Sequence, residues 1–311
     1  MNGSNKALLQ SKMLTPVMMS LATLLSGPAQ AAIYSAPYGE SRLIGFPMEH
    51  RVEEGQTLDQ IAQLYQMGFL AISAANPEAD PLLPAAGTVL TLPSQMLLPD
   101  VPRQGIVINI AELRLYYFDN AHKRIYVYPI GIGVIGRETP LGTTRISQMR
   151  KDPTWTPTAT TRKKWLEENG EALPQVVPAG PDNPLGHRAM RLGFGNGEYL
   201  IHGTNQEFGI GMRVSAGCIR LRPSDIEELY DLVRVGEPVR IINEPIKVAQ
   251  ERDGWLIEVH EPLSMDVELS REDKELLFSE TIEQKLAQVE TDPTRLQQAL
   301  NEQLGMPKKI N

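Results

Sequence analysis

The sequence predicts an α+β protein that is mainly β, made of two compact units and a C-terminal extension. Three observations carry this. Short runs rich in Val, Ile, Tyr and Thr recur between Gly, Pro and Asn turn signals across residues 105–243. One strongly patterned helix interrupts them, with Ile226, Leu229, Tyr230 and Val233 on a single face. A smaller segment, 49–93, switches from alternating to helical spacing and back. With 41% hydrophobic residues in 311, the chain has the apolar content of a packed globular protein, and the roughly 280 residues after the N-terminal segment suit two domains.

The N-terminal segment reads as an export signal over residues 1–31. Lys6 and Lys12 make a positive start, Met13 to Leu25 is mostly apolar but too short to span a bilayer, and Ala29-Gln30-Ala31 matches a small-x-small cleavage site. An uncleaved anchor is the alternative, weakened by Pro16 within the apolar run. No cysteine follows that run, so lipid anchoring through an N-terminal cysteine is excluded, and no later segment is apolar enough for a stable membrane span. The formal net charge of −8 argues against a broad nucleic-acid surface. Acid concentrates between Glu258 and Glu302, whereas Arg213, Arg220 and Arg222 make the region around Cys218 basic. That local balance suits a substrate bearing carboxylates; three solvated surface arginines are the bland alternative.

In residues 49–93, His50 to Val52 reads as a strand and Gly55-Gln56-Thr57 as a turn with Thr57 as N-cap. Leu58, Ile61, Ala62 and Tyr65 share a helical face, Ala71 to Asn76 gives a second helix stopped by Pro77, and Gly87 to Pro93 closes as an alternating strand. This βααβ run, with Val52, Gly55, Thr57-Leu58, Ile61-Ala62, Ala75-Asn76-Pro77 and Leu90 to Pro93, resembles a LysM module. The resemblance implies binding of N-acetylglucosamine-containing glycan. The matching positions are core and turn positions, so a structural cap without sugar affinity stays open. Residues 94–104, with Pro99 and Pro102, are expected to be a linker.

From 105 to 243, Ile106 to Ile110, Arg114 to Phe118 and Arg124 to Ile130 are expected strands, the last two joined at Asp119-Asn120. Thr139 to Thr144 is a turn leading into another strand, and Leu200-Ile201-His202 ends a strand. Ser224 and Glu227 are expected to cap the following helix as a capping box, with Gly236 ending it and Pro238 to Ile242 returning to strand. In the extension, 244–311, Trp255 to Val259 reads as a strand and Glu272 to Val289 and Pro293 to Leu304 as charged helices; it is expected to be a packing or partner element.

The candidate chemistry rests on Cys218, the single cysteine. Exported proteins use cysteines in pairs, and a lone thiol is either a buried small hydrophobe or a nucleophile. A thiol titrating at about 8.5 is only a few per cent ionised at pH 7, so a nucleophile needs a base. His202, at a strand edge in the same domain, is the best partner; His187 is a weaker candidate, and His50, His122 and His260 lie in other segments or a turn. The expected resting state is a thiolate–imidazolium pair. The amides of Gly217 and Cys218 are candidate oxyanion donors, and the Gly203 carbonyl is the candidate acceptor that fixes the imidazole tautomer. One cysteine and scattered histidines supply no familiar zinc-ligand spacing, so neither metal nor cofactor is expected.

His202-Gly203-Thr204, followed after a short interval by Ser215-x-Gly217-Cys218-Ile219-Arg220-Leu221, resembles the signature of the L,D-transpeptidase (YkuD-type) catalytic domain. Thr139-Pro140-Leu141-Gly142, Asn183-Pro184-Leu185-Gly186 and the hairpin beginning Val107-Ile108-Asn109 match the same family. One departure stands out: Ala216 occupies a position where the family commonly has histidine. The resemblance implies a sandwich or barrel-like β domain and attack by Cys218 on the peptidoglycan tetrapeptide stem, between meso-diaminopimelate and D-alanine. His202 serves as base and then acid. It implies substrate contacts from Arg220 and Arg213, with Ser215 and Thr204 as further binding candidates; Tyr199 and Trp155 line the cleft or pack. The acceptor is a lysine amine on an outer-membrane lipoprotein, a second diaminopimelate giving 3→3 cross-links, or water. The LysM-like start resembles lipoprotein-attaching periplasmic members from Gram-negative bacteria. A non-catalytic peptidoglycan-binding wall protein is the alternative of another class.

Overall fold

The computed structural model describes residues 31–134, 138–195, 197–215, 217–262 and 278–311. The export segment, Ala31 excepted, and Ala216 lie outside the described residues. No helix among the described residues is long and apolar enough to cross a membrane.

One curled nine-stranded sheet organises the chain. Its order is Ala32–Ser35, Arg124–Pro129, Arg114–Asp119, Gly105–Asn109, Pro238–Ile242, Gly142–Lys151, Arg188–Leu192, Leu200–His202, Ile219–Arg220. Period-two alternation explains why its strands between Gly105 and Pro129 are buried on both faces. Ile106, Ile108, Leu115, Tyr117, Tyr126 and Tyr128 face one core, closed by Ile226 and Leu229 of the Pro223–Leu232 helix. Val107, Tyr116, Phe118, Ile125 and Val127 face the other, closed by Ile44, Met96 and Leu98. Two buried aliphatic side chains on that helix anchor it at about 1.5–3 kcal/mol each. The helix starts two residues earlier than the expected capping box: Arg222 is its N-cap, Pro223 occupies the first turn, and no side chain caps the N-terminus. Proline's fixed φ suits that first position, so Pro223 rather than Ser224 sets the boundary.

The βααβ order read from the sequence forms as Met48–Arg51, Leu58–Leu64, Phe69–Ala75 and Val89–Leu92, with the two strands antiparallel. Thr57 and Gln60 make the capping box of the first helix. Residues 94–104 are not a free tether. Met96–Leu97 pairs with Leu43–Ile44, and Ser94 and Leu98 are buried. The βααβ unit is therefore packed onto the large sheet. Its inter-helix turn meets the loop before Arg213 so closely that a Cβ on Gly211 would lie 2.4 Å from the Gly68 Cα. Arg222 Nη2 donates to the Met67 carbonyl at 2.8 Å across the same junction.

The C-terminal extension is more β than expected. Ile246–Glu251 and Gly254–Val259 form a hairpin that Lys308–Lys309 extends, backed by helices Glu280–Ala287 and Pro293–Glu302. The expected helix from Glu272 is described only from residue 280.

A buried ionic cluster ties this extension to the nine-stranded sheet. Lys247 Nζ lies 2.9 Å from Glu112 and 2.8 Å from Glu258, with all three side chains fully buried. Arg114 bridges the same carboxylates at 3.1 and 3.4 Å, and His260 Nε2 lies 2.7 Å from Glu258. Glu258 also accepts from the Leu97 amide at 2.5 Å, and the Lys247 ammonium donates to the Leu97 carbonyl, so three segments of the chain meet there. Glu112, Glu258 and His260 converge closely enough to ligate a metal, but the Lys247 ammonium already supplies the cation between the carboxylates. Burial, the largest influence, would raise both carboxyls; Lys247, His260 and Arg114 together offset it and hold them below their ordinary value.

Lys247→Met leaves two carboxylates buried with less than their share of positive charge. The expected loss is roughly 3–5 kcal/mol of stability, read from chemical unfolding. An unchanged midpoint would contradict the role of the cluster. Because both folded-state carboxyls titrate below their unfolded value, their stabilisation is present above about pH 4.3 and is lost as pH falls below it. The wild type should therefore lose stability more steeply on acidification than Lys247→Met.

Candidate active site

Parallel pairing of Leu200–His202 with Ile219–Arg220 aligns Ile201 with Ile219 and His202 with Arg220. Alternation then sends Leu200 and His202 to one side, and Cys218 and Arg220 to that same side. His202 and Cys218 become diagonal neighbours, with Arg220 directly beside the imidazole. The Leu221 amide donates to the His202 carbonyl at 2.9 Å, and Gly131 exchanges backbone hydrogen bonds with Arg220 at 2.9 and 2.8 Å, so the short strand is gripped on both edges.

The turn before Cys218 is held from several directions. Gly217 has φ +96°, a conformation that favours glycine. Thr139 Oγ1, buried, donates to the Gly217 carbonyl at 3.1 Å, while the Ser215 hydroxyl donates to the Cys218 carbonyl. Sequence reasoning used Thr139 only as part of a matching run; its contact is with a residue 78 positions away, which no local pattern reports. Ser215 and Thr204 are buried, and their hydroxyls close turns, Thr204 through Gln206 at 3.0 Å. Both shape the site from within. Asn183 does the same for the 178–185 loop, donating to the Pro153 and Pro178 carbonyls at 2.8 and 3.0 Å.

His202 is buried, and its Nδ1 lies 2.6 Å from the Gly203 carbonyl. A carbonyl only accepts, so Nδ1 carries the hydrogen and Nε2 is the basic nitrogen. Burial, and next the positive charge of Arg220, lower this imidazole to about 4, against the opposing pull of Gly203. Cys218 is half-buried; burial raises its thiol, with the Leu200 amide and Arg220 pulling the other way and Glu198 adding to the rise. These shifts run against the expected thiolate–imidazolium pair. Burial disfavours the charged form of each group, and Arg220 adds to this at the imidazole. In this arrangement the thiol donates to the Glu198 carbonyl at 3.6 Å.

The other histidines are engaged elsewhere. His187 pairs with Asp152 at 3.0 Å on the surface, His122 with Asp119 at 2.7 Å, His50 with Gln56 at 2.7 Å, and His260 belongs to the ionic cluster. The three arginines differ. Arg220 is half-buried beside both candidate groups, with its Nε buried and unpartnered. Arg213 Nε donates to the Gly133 carbonyl at 3.3 Å. Arg222 is buried against the βααβ unit and faces away from solvent, which removes it from the basic surface. Tyr199 packs on the main core, and Trp155 pairs through its backbone with Val177.

The L,D-transpeptidase catalytic domain model matches residues 103–241, and the L,D-transpeptidase C-terminal domain model matches residues 245–310. The extension read as a packing or partner element thus has a family model of its own. The probable L,D-transpeptidase YcfS of Escherichia coli K12 is 48% identical over 304 residues, covering 96% of this chain and 95% of that protein. The probable L,D-transpeptidases YbiS and ErfK/SrfK of the same strain are 44% and 43% identical; YbiS covers 91% of this chain and 93% of its own length, and ErfK/SrfK covers 95% and 96%. Nearly end-to-end similarity at this level, with the His202 and Cys218 motifs on one face of adjoining strands, makes the chain a member of the L,D-transpeptidase family.

Proposed function

We propose that the chain joins the tetrapeptide stem of peptidoglycan to the side-chain amine of a C-terminal lysine on an outer-membrane lipoprotein, through a thioester on Cys218. The observation that supports the chemistry best is the placement of His202 and Cys218 on one side of paired strands, with the Gly203 carbonyl leaving Nε2 as the base. The thiol swings from the Glu198 carbonyl toward Nε2 and yields its proton as sulfur attacks the carbonyl between diaminopimelate and D-alanine. The Gly217 and Cys218 amides hold the developing oxyanion. The imidazolium then hands its proton to the departing D-alanine amine. Transfer in step with attack suits two groups that rest neutral, and the burial that lowers the His202 pKa makes its imidazolium a strong acid toward the leaving amine. Arg220 and Arg213 take the carboxylates of the stem peptide. An export signal over 1–31 carries the chain to the periplasm, and the βααβ unit holds the glycan strand while the site works on its peptides.

Incubating the full chain with a tetrapeptide muropeptide and a lysine-ended peptide should yield their amide with loss of D-alanine, seen by mass spectrometry. Only 3→3 dimers, or only tripeptide, would overturn the lysine acceptor. Cys218→Ala should abolish the covalent acyl-enzyme, and His202→Ala should slow acylation by about 10²–10⁴-fold. Persistence of the adduct in Cys218→Ala would mean another nucleophile.

The neutral resting pair has its own signature. Acylation should stay flat from about pH 5 to 8 and fall as His202 gains a proton near pH 4. Alkylation of Cys218 by iodoacetamide should keep rising beyond about pH 8.5, as expected of a thiol raised by burial. A plateau reached by pH 7 would restore the ion pair.

A further inference from the structure

The acceptor arrives at a site whose charges are divided. Among the described residues, two charged side chains bear on the Cys218 thiol: Arg220 and Glu198. Arg220 is half-buried beside the imidazole, on the strand that carries the nucleophile. Glu198 lies in the turn that leads into Leu200–His202, and its carbonyl receives the resting thiol at 3.6 Å. Its side chain is exposed to solvent. The nucleophile is therefore under the influence of a half-buried cation and of a carboxylate open to water.

The two halves of the reaction need opposite charges there. The donor stem peptide brings carboxylates, which suit Arg220. A lysine-type acceptor titrates near 10.4 and reaches the thioester as an ammonium ion at neutral pH. A buried, neutral His202 beside Arg220 offers that cation no attraction, and Arg220 repels it. We infer that Glu198 is the acceptor-specificity residue: its exposed carboxylate draws the cationic amine to the thioester side of the cleft and selects amines over water. The inference rests on the transpeptidase reading and names the group that favours one acceptor class within it.

The step balances without a co-reactant. The ammonium group at Glu198 loses one proton to bulk water. Its nitrogen attacks the thioester carbonyl, forming the C–N bond. His202 Nε2 takes the second proton and passes it to the sulfur as the C–S bond breaks, which restores the amide product, the free thiol and the neutral imidazole. Glu198 acts through charge and position, and it exchanges no proton that the reaction requires.

The test uses the full chain, one tetrapeptide donor and two nucleophiles, a lysine-ended peptide and hydroxylamine, the latter uncharged at neutral pH. With Glu198→Gln, which keeps the backbone carbonyl, hydroxamate formation from the preformed thioester should match the wild type. Amide formation with the lysine peptide, at subsaturating concentration and low ionic strength, should fall about 3- to 10-fold, and the gap should close at about 0.5 M salt. Glu198→Asp should recover much of the loss, and Glu198→Lys should deepen it. Equal losses with both nucleophiles would show a merely structural effect and overturn the assignment, as would an unchanged lysine-peptide rate in Glu198→Gln. Failure of the wild type to form any thioester would overturn the transpeptidase reading itself, whereas normal thioester with unaltered partition overturns only the role of Glu198.

Discussion

The register of two short parallel strands governs the site. A slip of one residue between Leu200–His202 and Ile219–Arg220 would turn Cys218 and Arg220 to the opposite face from His202, because side chains alternate along a strand. So short a parallel pair has little stability of its own and borrows it from its neighbours. Gly131 clamps Arg220 from one edge, Thr139 fixes the Gly217 carbonyl from below, and Ile201, Ile219 and Leu221 sit fully buried in the main core. The catalytic geometry is thus a consequence of sheet pairing more than of any direct bond between imidazole and sulfur.

Burial is the second constraint, and it works differently in two places. At His202 and Cys218 it disfavours the charged form of each group. At Glu112, Glu258 and Lys247 the charges are retained because each carboxylate meets an ammonium and a guanidinium within hydrogen-bond reach. That cluster joins the catalytic sheet, the C-terminal hairpin and the Leu97 backbone. The contact between Gly68 and Gly211 adds a fourth element: the βααβ unit rests against the loop that runs into Arg213–Ser215. A module expected to hang from a linker instead braces the strands around the nucleophile.

Local chemistry in the sequence revealed the parts of the site that depend on local chemistry. A single cysteine behind glycine, a strand ending in histidine and a helix with a continuous apolar face are legible because each signal lies within about a dozen residues. What escaped depends on distance or lacks a pattern. The Ala159–Asn169 helix has no buried residue and so leaves no amphipathic period, though Thr158 caps it through the Thr161 amide. The Ile246–Glu251 strand hides because its buried Lys247 reads as a surface residue until Glu112 and Glu258 are seen beside it. Thr139 and Glu198 matter through contacts with Gly217 and Cys218 that sequence spacing does not encode. The burial that bears on the resting charge state of His202 and Cys218 is likewise a property of the fold.

The most direct test is nitrogen-15 NMR of the histidines, with His202 assigned through His202→Gln. A neutral imidazole with its hydrogen on Nδ1, unchanged from about pH 5.5 to 8, is the predicted result, and Cys218→Ala should leave it so. A doubly protonated ring at pH 7 that becomes neutral when Cys218 is removed would mean that the thiol had already surrendered its proton, and would contradict the account.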